Sequence, residues 1–178
     1  MNKILKLTLI LFLVSAIVAG VLGVVNELTK DRIAEIAEAK TAEAYATVLE
    51  ADAYDEVDYT GDNTAITKIS KAGDAGYVVE ETVSGSQGAI EIVIGVDTDC
   101  KCTGISIIKS SETSGLGAVA SSPSEKGVAF REQFIGVGDD VALAKNGGTI
   151  NALTGATITS TAVTNAVANA IAAVESLG

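Results

Sequence analysis

From Leu7 to Val25 the chain runs nineteen residues without a charge, led by Lys3 and Lys6 and followed by the mixed-sign segment Glu27, Lys30, Asp31 and Arg32. A helix of that length spans about 28 Å at roughly 1.5 Å per residue, enough to cross the hydrocarbon core of a bilayer. The cations stand on the N-terminal side, so the pattern predicts an anchor with its N-terminus in the cytoplasm and everything after Val25 outside. A cleavable signal would carry a shorter apolar core of about 7 to 15 residues and a small-residue cleavage site. Ile17-Val18-Ala19 before Gly20 is only a passable site.

Asn26 to about Leu49 turns rich in Ala, Glu and Lys, with Ile33, Ile36, Ala37, Ala44, Tyr45, Val48 and Leu49 at roughly helical spacing. This predicts a helix that continues the anchor as a stalk. A polar, turn-rich stretch, 52–63, comes next, followed by short runs with strand character at 65–70, 77–83, 89–96 and 103–109. Gly73, Gly76, Gly85, Gly88 and the segment Asp97 to Asp99 separate the runs, so neighbours are expected to pair antiparallel. Ser110 to Ser124 is small and polar, as loops are, and contains the single proline, Pro123. Val128 to Phe134 reads as a short helix, and 145–148 as a turn. Thr161 to Leu177 reads as a longer helix with Val163, Val167, Ala170, Ile171, Val174 and Leu177 on one face. The pattern gives an α+β fold: a transmembrane anchor at 1–25, a helical stalk at 26–50, and one extracytoplasmic domain at 51–178 with an antiparallel sheet and flanking helices.

Composition removes whole classes of function. Twelve Lys and Arg against twenty-three Asp and Glu give a net charge of −11 over 178 residues. Without the segment that holds Lys3 and Lys6 the balance is ten against twenty-three, or −13. A nucleic-acid partner needs clustered cations and is excluded. The same field repels anionic ligands at long range, so any anion site must be local or covalent. With no histidine there is no Ser-His triad and no ordinary catalytic zinc site. Two cysteines cannot by themselves hold an iron-sulfur cluster or an all-cysteine zinc ion. Cys100 and Cys102, two apart on a strand, are too far for an easy disulfide and read as a turn and a strand start. Aromatics are only 4% with no Trp, so the core must be Val, Ile, Leu and Ala.

The chemistry concentrates just before the last helix. Thr154-Gly155-Ala156-Thr157-Ile158-Thr159-Ser160 carries four hydroxyls in seven residues and one glycine that lets the backbone turn. Thr159 or Ser160 could simply cap the helix. The same geometry is also an anion site, because free N–H groups and the helix dipole point at whatever sits there. Gly147 and Gly148 are not followed by the Gly-Lys-Ser/Thr end of a nucleotide P-loop. Thr157 also lacks a plausible base for hydrolysis, Lys145 being the only nearby candidate.

Asn151-Ala152-Leu153-Thr154-Gly155-Ala156-Thr157 resembles the flavinylation motif of FMN-binding domains, Asp or Asn, two residues, then Ser/Thr-Gly-Ala-Thr. Such domains occur in the Rnf and the Na⁺-translocating NADH:quinone oxidoreductase complexes. Ser110-Ser111-Glu112-Thr113-Ser114-Gly115-Leu116-Gly117 is similar to the family's His-x-Glu-Thr-Pro-Gly-Leu-Gly loop, which lies along the flavin. Asn151 stands for the usual Asp, Ser110 for His and Ser114 for Pro. Val25 to Ile33, Gly76-Tyr77, Gly88 to Ile90 and Ile94 to Asp97 look like the G subunit of the Rnf complex, and the compact length favours it over its larger quinone-reductase counterpart. The family has Gly where Cys100 stands, which points to a turn.

The resemblance implies FMN held covalently through a phosphoester to Thr157. Glu112, Thr113, Gly115, Leu116, Gly117, Thr154, Gly155, Ala156, Thr159 and Ser160 would surround it, and Lys145 would offset charge nearby. It implies installation by an ApbE-type flavin transferase from FAD with Mg²⁺, and no catalytic or metal residues in the chain itself. Finally, it implies an electron relay within a membrane complex that couples reduced ferredoxin and NAD⁺ to ion transport, with flavin and iron-sulfur proteins of that complex as partners. Other readings are a membrane-anchored flavin sensor, the quinone-reductase counterpart, and a pilin-like filament protein. The last predicts an early acidic residue in the apolar run, and Leu7 to Val25 has none.

Overall fold

A computed structural model describes residues 3–177. The chain divides after Lys40 into two compact units. The first consists of most of helix α1, Lys3–Val48, an unbroken helix that joins the expected anchor and stalk. Its Leu7 to Val25 side chains are exposed, and it is long and apolar enough to cross a membrane.

The second unit is built on a five-stranded antiparallel meander in the order β1-β2-β3-β4-β5. The strands are β1 Asp55–Val57, β2 Ile66–Ala72, β3 Gly76–Ser84, β4 Ala89–Asp97 and β5 Cys102–Ser110. A 3-10 turn at Gly117–Ser121, helix α2 at Glu125–Glu132, a second 3-10 turn at Ala144–Asn146 and helix α3 at Thr157–Glu175 complete it. Successive strand residues point to opposite faces, and here both faces are covered. Ile69, Val79, Ile92, Ile94 and Val96 pack with Phe130, Phe134 and the apolar face of α3. Ala72, Val78 and Val93 pack on the other side against Ala44, Tyr45 and Val48, at the end of α1. Burial on both faces is why β4 reads as a nearly continuous apolar run instead of an alternation. Each such side chain contributes about 1.5–3 kcal/mol. Although α3 is also long and apolar enough to span a membrane, it is the core helix of this unit, with Val163, Val167, Ala170 and Ile171 inaccessible.

The end of α1 rests directly on sheet backbone. Gly95 and Gly104 are register partners, and a Cβ on Gly95 would lie 2.6 Å from the Val48 carbonyl oxygen. The Thr103 hydroxyl donates to that same oxygen and so satisfies a free helix-end acceptor.

Three expectations shift. The stretch 52–63 holds β1, an exposed acidic edge strand pairing with Ile69 to Lys71, too short and too charged to show strand character in the sequence. Helix α2 starts at Glu125, three residues before Val128, because the Ser124 side chain accepts from the Gly127 amide at 3.3 Å and caps it. The last helix starts at Thr157, four residues before Thr161, so Thr159 and Ser160 lie inside its first turn and do not cap it from outside.

Candidate functional site

Three segments distant in sequence converge at the start of α3. The loop after β5 brings in Glu112, which is 9% exposed. Its Oε1 accepts from the Gln87 amide in the β3–β4 turn at 2.9 Å, and its Oε2 accepts from the Thr159 hydroxyl. Burial pushes its pKa up, but the Gln87 amide, the Thr159 hydroxyl and the backbone of Ser86 and Gly88 outweigh that and hold it below the ordinary value. Glu112 is therefore an anionic strut. Gly117 must be glycine for the same reason, since a Cβ there would collide with Glu112 Oε2 and Thr159 Oγ1.

The hydroxyls of the motif divide by role. Ser160, fully buried, donates to the Ala156 carbonyl at 2.9 Å and accepts from the Leu153 amide at 3.0 Å, fastening the preceding loop to the helix. Thr159 is committed to Glu112. Thr157 is exposed, and its hydroxyl has no partner among the described residues. Ala156 precedes the helix without a side-chain cap, and the first helical hydrogen bond is from the Ser160 amide to its carbonyl. The amides of Thr157, Ile158 and Thr159 thus find no acceptor among the described residues and carry the positive end of the α3 dipole. Gly155, at φ 75°, makes the left-handed turn that the loop needs just before them.

These groups open onto a groove of about 360 Å³ bordered by Ser86, Gln87, Glu112, Thr113, Leu116, Gly117 and residues 155–159. Leu116 is also a wall of a second groove, of about 440 Å³, between α2 and residues 151–154. Leu116, Val119, Ala129, Phe130 and Leu153 give that second groove its apolar surface, while Lys126, Gln133, Asn151 and Thr154 supply its polar groups. Gln133 holds the motif loop in place: its Oε1 accepts from the Asn151 backbone amide at 2.8 Å and from the Asn151 side chain at 3.2 Å. An Asp at position 151 could not make the second bond. Gly115, at φ 77°, lets the chain turn between Thr113 and Leu116, whose amide donates to the Thr113 carbonyl at 3.1 Å. Ser114 stands in that turn where the family has Pro.

Of the residues expected at the site, Glu112, Thr113, Gly115, Leu116, Gly117, Thr154, Gly155, Ala156, Thr157 and Thr159 line one groove or the other, and Ser160 supports them from beneath. Lys145 is exposed on the Ala144–Asn146 turn and lines neither groove. Ser86, Gln87, Lys126 and Gln133 also line them, and none carried a motif. Cys100 and Cys102 are unpaired, and burial pushes the Cys102 thiol up to about 12, so it is inert.

The fold is thus an antiparallel meander against a long C-terminal helix whose uncapped start carries a free threonine hydroxyl beside a groove. The family model described as the FMN-binding domain matches residues 85–172, and that of the RnfG N-terminal region matches residues 1–48. The G subunit of the ion-translocating oxidoreductase complex of Methanosarcina acetivorans is 32% identical over 181 residues, spanning 96% of this chain and 94% of its own length. The G subunit of the Na⁺-translocating ferredoxin:NAD⁺ oxidoreductase complex of Acetobacterium woodii is 36% identical over 186 residues, spanning 91% of this chain and 87% of its own. The proton-translocating counterpart of Clostridium ljungdahlii is 34% identical over 173 residues, spanning 93% and 86%. The chain belongs to the family of G subunits of these ion-translocating (Rnf) oxidoreductase complexes. In fold it matches the C subunit of the Na⁺-translocating NADH-quinone reductase of Parabacteroides distasonis, with a TM-score of 0.52 at 20% identity over 76% of this chain and 80% of that one.

Proposed function

We propose that this chain is the electron relay of a membrane-bound, ion-translocating ferredoxin:NAD⁺ oxidoreductase, carrying FMN on Thr157 through a phosphoester. The observation that carries the reading is the Thr157 hydroxyl, exposed and unpartnered at the first position of an uncapped α3. FMN supplies the redox chemistry, and the protein supplies attachment, orientation and local polarity. The free amides of Thr157, Ile158 and Thr159 stabilise the phosphate where the chain after Val25, at −13, repels it. Esterification also lowers the phosphate charge from nearly −2 to −1, which weakens that repulsion. Thr159 and Ser160 keep the first turn rigid by binding Glu112 and Leu153, so Thr157 is held at a fixed angle to the groove. Leu116, shared by both grooves, guides the ring toward the second one, between α2 and residues 151–154.

The covalent link removes the need for affinity. Outside the cytoplasm free FMN is scarce, and a tether keeps the local concentration high through every turnover. An ApbE-type transferase would build the link by moving the FMN phosphate from FAD to the Thr157 oxygen, with AMP leaving. In this reading the segment 1–25 crosses the membrane with its N-terminus in the cytoplasm, 26–50 forms the stalk, and 51–178 meets the flavin and iron-sulfur proteins of the complex outside.

The test is protein made together with the flavin transferase. Intact mass is expected to exceed that of the bare chain by one FMN minus water, mapped to a peptide containing Thr157. Thr157→Val, nearly isosteric, is expected to fold as wild type and to show no flavin fluorescence after denaturation. Fluorescence on the denatured variant would remove Thr157 from this role.

A further inference from the structure

The groove between α2 and residues 151–154 has an uneven polar complement. Its one ionisable side chain is Lys126, at the second position of α2. That ammonium has no hydrogen-bond or acidic partner among the described residues. The other cation of α2 is already engaged: the Arg131 guanidinium donates to the Ala120 carbonyl at 2.6 Å and to the Ser122 carbonyl at 3.0 Å. In a unit with seven cations against nineteen acids, Lys126 is the one cation that lines either groove. The groove adjoins the attachment point twice, through the shared Leu116 and through Thr154, three residues before Thr157.

We propose that Lys126 is the charge partner of the flavin ring, seated beside it in the groove between α2 and residues 151–154 and raising its reduction potential; this rests on the attachment to Thr157 proposed above. Each electron that enters the ring adds a negative charge unless a proton accompanies it. A fixed cation beside the ring therefore favours the reduced form. Lys126 acts through its field, not by forming a bond, so its effect is greatest at low salt, where screening is weakest.

Spectroelectrochemical titration of flavinylated full-length protein tests this. Lys126→Met is expected to lower the midpoint potential by about a tenfold change in the reduction equilibrium, or ~59 mV for one electron. Lys126→Glu should lower it further, and Lys126→Arg should stay near wild type. The difference should shrink in 1 M salt, where the Debye length falls from about 10 Å at 0.1 M to about 3 Å. Lys68→Met removes the same charge on β2, three strands or about 14 Å across the sheet from β5, against which α2 packs, and should leave the potential unchanged. A Lys126→Met protein that keeps its flavin and titrates at the wild-type potential in low salt overturns the proposal, as does an equal shift in Lys68→Met. Colourless denatured wild type would overturn the attachment to Thr157, and this inference with it.

Discussion

Glu112 reaches two elements at once, accepting from the Gln87 amide on the β3–β4 turn and from the Thr159 hydroxyl in the first turn of α3. Its pKa is held below the ordinary carboxylate value, so it adds stability above that value and loses the contribution as pH falls through its folded-state pKa. Glu112→Gln preserves the shape but removes the charge and turns an NH₂ toward a donor. It is expected to cost about 1–3 kcal/mol at pH 7. In urea titrations the gap should narrow as pH falls through the folded-state pKa of Glu112; a constant gap would show that charge is not what matters. Thr157 and the run Glu112 to Gly117 were legible because local motifs carry them. The pairing of Glu112 with Thr159 was not, since it joins residues 47 apart through the fold. Lys145 drew notice by nearness in sequence, but Gly147, at φ 91°, ends its turn and the side chain faces solvent. Lys126 and Gln133 reach the groove only because α2 packs beside the motif loop, which no local spacing reveals.

Among the elements, the β4–β5 hairpin shows how far local signals carry. The Asp97 carboxylate accepts from the Asp99 and Lys101 amides, each at 2.9 Å, and the Cys100 amide donates to the Asp97 carbonyl at 3.1 Å. This geometry leaves Cys100 at φ 57°, the left-handed region, where the described chain has no other non-glycine residue. A Cβ costs roughly 1–2 kcal/mol in that conformation, which is why a glycine fits the position. Cys100→Gly is expected to raise stability by about 0.5–1 kcal/mol, the relief of strain being offset in part by glycine's greater freedom when unfolded. Guanidinium melts of the two proteins would check it, and a loss of stability would mean that the partly buried thiol contributes more than its backbone costs. The four longer strands and their order were legible because glycine and Asp turns punctuate apolar runs. The missed strand β1 has only three residues, two of them acidic, and exists because β2 offers it an edge. The start of α3 was misplaced because its first turn shows hydroxyls, not apolar side chains, and two of those hydroxyls are buried by tertiary bonds.

At the scale of the whole packed unit, one charge stands out between the sheet and α3. Glu81, on β3, is 1% exposed; its Oε1 accepts from Asn169 of α3 at 2.8 Å, and its Oε2 is buried without a hydrogen-bond partner. Burial pushes its pKa from 4.5 up to about 7, and the amides of Asn169 and Asn63 hold it partly back. The folded protein therefore keeps a proton that the unfolded chain releases above pH 4.5, and the sign is opposite to that of Glu112. Between about 4.5 and 7 the unfolded state binds fewer protons, so this group makes stability fall as pH rises, with the loss complete above 7. Glu112 makes stability rise with pH below the ordinary carboxylate value, and Glu81 makes it fall above that value. Glu81→Gln keeps an acceptor for Asn169 and cannot ionise. The variant should match wild type near pH 4 and exceed it by about 1–3 kcal/mol at pH 8. Chemical denaturation across that range separates this from a simple packing change, which would shift both ends alike. A variant no more stable than wild type at pH 8 would mean that the core accommodates the ionised carboxylate, through water or by opening between α3 and β3.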